Sequence, residues 1–226
     1  MSIVDGDAEV PPGAVVVVVD VIRAFTTAAV AFERGATDIV CVPSVEAGRA
    51  FRRSHPDRLL AGEKNGLRPA DFDFGNSPAE MATARLDGRG LIQATTNGTR
   101  GLARHRNPAA LLAVSAANVG ATARWIARRH PGARYAIVCT GSTAEDRACA
   151  TYLSALLHGS EPSRADLVAG IVAGAAEHAR SYARKPAADR VDLSSDLPFC
   201  CDVDRSGFAL VGAARDGQVT LTPVPS

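Results

Sequence analysis

Asp20 closes an unbroken run of valines at 15–19, and Arg23 follows it at the head of a segment with helical spacing. Five consecutive valines predict a strand buried on both faces, because β-branched side chains pack well on a pleated surface and none of them is polar. A carboxylate at the carboxyl end of a central strand stands where open α/β sheets bind their ligands. Asp is also a common helix cap, so Asp20 by itself leaves both roles open.

Three further polar clusters fall at the ends of expected strands: Gly62-Glu63-Lys64, the run from Thr95 to Arg100, and Thr140-Gly141-Ser142 followed by Glu145-Asp146. A parallel sheet brings the carboxyl ends of its strands to one edge, so the four clusters are expected to converge. Thr95-Thr96-Asn97-Gly98-Thr99-Arg100 reads as an anion cradle. Gly98 permits close backbone approach, a helix start points bare N–H groups outward, and the hydroxyls add donors. An ordinary strand–helix turn capped by Thr96 or Asn97 has the same local pattern.

Asp20, Glu63, Glu145 and Asp146 suit a hard, oxygen-binding cation. Mg²⁺ takes one or two carboxylates and keeps its other positions for water and substrate oxygens. His55, His105, His130 and His158 fall near expected helix carboxyl ends, where a cation is favoured, and no His-x-x-x-His pair suggests zinc. Several phosphate-ester motifs are missing. Asp20 has no second Asp two residues on, Cys139 has no arginine at the right distance, and neither a Gly-x-x-x-x-Gly-Lys-Ser/Thr loop nor a Gly-x-Ser-x-Gly elbow occurs.

The elements that must position these residues alternate. Strands are expected at 15–19, 38–43, 58–61, 90–94, 110–114 and 134–139. Helices are expected at 24–35, 44–54 (capped by Ser44), from Ser77-Pro78, after the Thr95 cluster to about 106, at 118–130 (capped by Asn118), 145–158 and 164–180. A long loop spans 62–77, and Asp216-Gly217 marks a terminal hairpin within 208–224. The pattern is α/β: a layered, mostly parallel central sheet flanked by helices. It reads as one domain over 1–226, with room for two sub-lobes around a shared cleft and a boundary near 107–118.

The 226 residues are 46% hydrophobic and 22% charged, with a net charge of +1. That balance offers no basic surface for nucleic acid, and the valine run is too short to span a membrane. The first thirteen residues lack the basic and long apolar regions of a signal peptide, and the five cysteines follow no disulfide or zinc spacing. A cytoplasmic protein with reduced thiols, the adjacent Cys200 and Cys201 included, is expected. In the last long helix, Leu167, Val168, Ile171 and Val172 spread wider than one face needs, which suggests a homodimer.

Taken together, V-V-D-V-I-R-A-F-T-T (18–27), F-D-F-G-N-S-P (72–78), T-T-N-G-T-R (95–100) and E-D-x-x-C-A (145–150) resemble the 2-phosphosulfolactate phosphatase family, in the family's order and over roughly 14–152. The resemblance implies a Mg²⁺-dependent hydrolase that frees phosphate from phosphosulfolactate to give sulfolactate, a coenzyme M precursor. Asp20, Arg23 and Glu63 would be catalytic. Lys64, Asn76, Ser77, Thr95, Thr96, Asn97, Gly98, Thr99 and Arg100 would bind the substrate, and Asp20, Glu63, Glu145 and Asp146 the metal. Asp20 could be nucleophile, general base or metal ligand. Lys64 stands where the family usually has Arg. Arg23, Lys64, Arg68 and Arg100 supply cations for a substrate with phosphate, sulfonate and carboxylate groups. A non-catalytic binder of a small anionic metabolite on the same fold is the alternative.

Overall fold

The computed structural model describes residues 2–6, 8–105 and 107–226. In chain order the elements are β1 (Ser2–Asp5), β2 (Val15–Val19), α1 (Ala24–Glu33), β3 (Ile39–Val42), α2 (Val45–Ser54), β4 (Leu59–Gly62), α3 (Pro78–Ala82), β5 (Leu91–Ala94) and α4 (Gly98–Ala103). They continue with β6 (Ala110–Val114), α5 (Val119–Arg129), β7 (Tyr135–Cys139), α6 (Ala144–Leu157), α7 (Arg164–Ala183), α8 (Leu197–Cys200), β8 (Phe208–Arg215) and β9 (Gln218–Pro225). The expected strands and long helices all form, within a few residues at their ends. The expected helix end near 106 falls on a residue outside the described ones; α4 itself stops at Ala103.

All nine strands join one sheet in the order β1-β7-β2-β6-β8-β9-β3-β5-β4. The valine strand β2 lies between β7 and β6, parallel to both. Its alternate residues serve two cores, as a period of two requires. Val16 and Val18 pack with Phe25, Met81 and Leu102, whereas Val15, Val17 and Val19 pack with Trp125, Ile126 and Leu153. The set β3-β5-β4 is also parallel within itself.

The two parallel sets do not run the same way. Between β6 and β3 come three antiparallel pairings, β6–β8, β8–β9 and β9–β3, which leave β3, β5 and β4 pointing opposite to β2. In a flat sheet their carboxyl ends would lie on opposite edges. Four strand-to-strand steps separate β2 from β3, and a twist of about 20–25° per step turns one set across the other by about 80–100°. The space between them is filled by α1 and α4. Gln93 Nε2 on β5 donates to the Ala24 carbonyl at the start of α1 at 2.9 Å, and α4 touches both β2 and β3. The strand ends therefore meet because a bent sheet wraps two shared helices, and not because a single parallel edge collects them.

Local sequence explains the joints. Ser44 and Ser77 each cap their helix, their hydroxyls accepting from Ala47 N and Glu80 N at 3.1 Å. At α5 the cap differs from expectation: Asn118 turns back to accept from Ser115 N at 3.0 Å, and Ser115 caps a 3₁₀ turn, Ala116–Asn118, that leads into the helix. Asp216 and Gly217 take φ of +51° and +78°, the left-handed pair that a tight hairpin between β8 and β9 demands. All five cysteines are free. Among the described residues no helix is long and apolar enough to cross a membrane.

Candidate active site

Asp20 leaves β2 pointing into a cavity of about 200 Å³, whose wall also includes Arg23, Glu63, Asn76, Thr96 and Asn97. These residues come from the end of β2, the 62–77 loop and the β5–α4 junction. The carboxyl end of α7 adds His178 and Tyr182 to the lining, and Lys185 follows just beyond it.

Asp20 is buried; its Oδ1 accepts from Ala24 N at 3.0 Å and its Oδ2 from Thr140 Oγ1 at 3.4 Å. Burial pushes its carboxyl up to about 6; the Ala24 N–H opposes the rise, and the charges of Glu63 and Glu145 add to it. Behind it Asp146 accepts from Val21 N at 2.8 Å and Gly141 N at 3.1 Å, and its Oδ2 reaches the same Thr140 hydroxyl at 3.5 Å. Burial, and then the Asp20 charge, hold Asp146 well above the ordinary carboxylate value. Capping is thus one of Asp20's contacts, yet it remains a strained acid facing a cavity.

The α4 start closes directly on this acid. A Cβ on Gly98 would stand 2.7 Å from both Asp20 Oδ2 and Ala24 Cβ, so only glycine lets the turn come this near. The close approach expected of Gly98 is toward Asp20. Thr95 and Thr99 lock each other: Thr99 N donates to Thr95 Oγ1 at 3.1 Å and Thr95 N to Thr99 Oγ1 at 2.8 Å. Both are buried and hold the turn, while Thr96 and Asn97 present its exposed tip to the cavity. Arg100 faces an adjoining cavity of about 210 Å³ that shares Thr96 and Asn97 and includes Thr140 and Ser142.

Glu63 ties loop to turn. Its Oε1 accepts from Thr96 N at 2.5 Å, and its Oε2 from Gly66 N at 2.6 Å and Thr96 Oγ1 at 3.0 Å. Arg23 is buried; Nη1 pairs with Asp196 at 2.7 Å, and Nη2 donates to the Gly66 carbonyl at 3.1 Å. Asp196 also accepts from Ser77 Oγ at 2.5 Å and Ala79 N at 3.2 Å. Ser77 therefore serves α3 and the Arg23 anchor. Asn76 lines the cavity with its buried Oδ1 unpartnered. Lys64 points away, exposed and 3.3 Å from Glu46, while Arg68 pairs with Glu80 at 2.8 Å.

Glu145 is buried and receives His178 Nε2 on Oε1 at 2.8 Å. That hydrogen bond raises the His178 pKa against the opposing effect of burial. All four acids expected to hold a metal accept hydrogen bonds from the protein, and Glu145 keeps one buried oxygen, Oε2, without a partner. Among the described residues no three His, Cys, Asp or Glu side chains form a ready-made cation cage. Asp20 on the cavity wall, with Asp146 buried behind it, would suit Mg²⁺ by its donor chemistry. They lie against one hydroxyl, and their raised pKa values reflect an ionisation cost that a cation would offset; one or two carboxylates suffice for this ion.

The profile of the 2-phosphosulpholactate phosphatase family matches residues 4–214. Similar proteins, each named a probable 2-phosphosulfolactate phosphatase, come from Thermus thermophilus (38% identical, covering 92% of this chain and 91% of the relative) and Symbiobacterium thermophilum (33%, covering 95% and 97%). One from Bacillus subtilis is 29% identical and covers 92% and 90%. The chain belongs to the 2-phosphosulpholactate phosphatase family. It is accordingly an enzyme of the phosphoric monoester hydrolase class.

Three cavity residues of this family member, His178, Tyr182 and Lys185, were not singled out by motif. With Ser181 they recur at i, i+3, i+4 and i+7, a polar stripe closing an otherwise Ala- and Val-rich helix, and that spacing was the available signal. Asp196 gave none. It is an isolated acid far along the chain that folding carries to Arg23.

Proposed function

We propose that the protein is a Mg²⁺-dependent phosphatase of a small, multiply anionic phosphate monoester, with 2-phosphosulfolactate as substrate and 3-sulfolactate and phosphate as products. The observation that carries this reading is the shared cavity: a buried, raised-pKa carboxylate, Asp20, lies beside a fixed guanidinium and the exposed Asn97 at the tip of the Thr95–Arg100 turn. The named activity of the family's relatives supports the substrate.

Asp20 and Asp146 would hold the ion, which when bound polarises phosphoryl oxygens. Arg23, steadied by Asp196, offers its remaining N–H groups to the phosphoryl oxygens in a fork that ammonium cannot reproduce. The side-chain amide of Asn97 orients the ester from a second element, and Thr96, whose two donors go to Glu63, holds that tip in place. His178, held by Glu145 through Nε2, lines the same space and as an imidazolium would offer Nδ1–H to the leaving oxygen.

Phosphate release from 2-phosphosulfolactate, stopped by EDTA and restored by Mg²⁺, is the expected result. No release from a panel of small phosphate esters with several divalent metals would overturn it and favour a non-catalytic binder. A cytoplasmic homodimer completes the proposal. Leu167 and Ile171 are buried within the chain, whereas Val168 is half-buried and Val172 is 47% exposed, which leaves these two valines of α7 for a partner. Light scattering checks the mass.

A further inference from the structure

We propose that Lys185, laid over the Tyr182 ring, is the specificity residue that receives the second oxyanion of the ester, a sulfonate or a carboxylate. The inference rests on the phosphatase reading for the identity of the ester, but its geometry stands apart.

Among the described residues the cavity has three basic side chains, and two are already committed. Arg23 is paired with Asp196 at 2.7 Å and His178 with Glu145 at 2.8 Å. Lys185 has no carboxylate partner among the described residues. Its Nζ lies 4.6 Å from the Tyr182 ring centroid, a cation–π arrangement that holds the ammonium without neutralising it. A lysine past a helix end is favoured there by the helix dipole, but the dipole does not account for its place in the cavity wall.

The platform under Lys185 is itself fixed. A Cβ on Gly66 would lie 2.7 Å from Tyr182 Oη, so the phenol rests directly on that glycine. Gly66 in turn donates its N–H to Glu63 and accepts Arg23 Nη2 on its carbonyl. The end of α7 is thus keyed to the groups around Asp20 through Gly66 as well as through the His178–Glu145 bond. Asp20 and Arg23 reach the cavity from the β2–α1 junction, and an uncommitted cation reaches it from beyond the end of α7. Such a pocket fits a molecule with its phosphate at one end and another anion at the other.

The test uses the full chain in two readouts. Calorimetry measures 3-sulfolactate binding in EDTA to the wild type, Lys185→Met and Lys185→Arg. Kinetics with Mg²⁺ compares 2-phosphosulfolactate, 2-phospholactate and phenyl phosphate. Lys185→Met is expected to weaken sulfolactate binding about tenfold or more, the loss of one charge-assisted hydrogen bond. It should raise KM for the anion-bearing esters without lowering kcat, and leave phenyl phosphate unchanged. Lys185→Arg should restore most of the binding, and unchanged melting temperatures would show that the fold is kept. A KM effect shared by 2-phospholactate assigns the carboxylate, and one confined to 2-phosphosulfolactate assigns the sulfonate. Wild-type protein that does not bind sulfolactate, or a Lys185→Met variant that binds it equally, would overturn the proposal. Lysine-dependent binding without turnover of any ester would uphold this subsite and reject the phosphatase reading instead.

Discussion

Asp20 and Arg23 share one strand–helix junction, yet their surroundings separate their work. Asp20→Asn keeps the size and can still accept from Ala24 N, so the variant is expected to fold and lose turnover. Near-normal steady-state kinetics would reduce Asp20 to a cap. Arg23→Lys keeps the charge but cannot reach both Asp196 and the Gly66 carbonyl as the guanidinium does. A loss of about 10²-fold in kcat is expected, the usual effect of removing one oriented donor from a transition state. The Asp20 pKa adds a stability signature. Folding lifts it from an ordinary 3.8 to about 6, so the folded state holds the proton more tightly than the unfolded chain. Its contribution is fully favourable below about 3.8 and is lost as pH rises through about 6. In EDTA, Asp20→Asn should therefore match the wild type in melting temperature near pH 4 and exceed it above pH 6. A wild type that stays the more stable at high pH would contradict the burial cost.

At the scale of elements, the test is how closely α4 approaches β2. Gly98→Ala would set a methyl group 2.7 Å from Asp20 Oδ2 and from Ala24 Cβ. Both neighbours are buried, so α4 must retreat, costing about 1–3 kcal/mol as overpacking typically does, and taking the Thr96–Asn97 tip with it. Thermal melts and kinetics together should show a moderate stability loss with a larger activity loss; full activity would mean the tip does not touch the ester. The elements most legible in sequence were those with one unambiguous force behind them. Five valines can only be buried, and Ser77-Pro78 or Asp216-Gly217 impose backbone geometry locally. β1 carries no clear sequence signal, because Ser2–Asp5 is a short edge strand, partly exposed, with no clean alternation. The Thr95–Arg100 motif located the right turn, but the division of labour inside it depends on which face meets Asp20. Thr95 and Thr99 face inward and Thr96 and Asn97 outward, a distinction that the spacing does not contain. Arg23's partner and the His178 wall come from more than 100 residues away and exist only once the sheet has bent.

For the whole molecule, the order of the strands makes the chain's last segment structural rather than peripheral. β8 and β9 enter the middle of the sheet, between β6 of one parallel set and β3 of the other. Both long strands contribute to the buried cores through Ala209, Leu210, Val219 and Leu221. Without them β6 and β3 would each expose an unpaired edge beside apolar side chains, a template for aggregation. The two sets are further tied by α1 and α4, which no cut between lobes would leave covered. Two sub-lobes divided near 107–118 would unfold separately, whereas a sheet joined in its middle by β8 and β9 should unfold as one unit. Calorimetry is therefore expected to give a single transition with equal calorimetric and van't Hoff enthalpies. A chain ending at residue 207 should fail to fold and should expose apolar surface to a hydrophobic dye. Two resolved transitions in the full chain, or a folded and monomeric truncation, would mean that the halves stand independently and that the Asp20 site is assembled by docking.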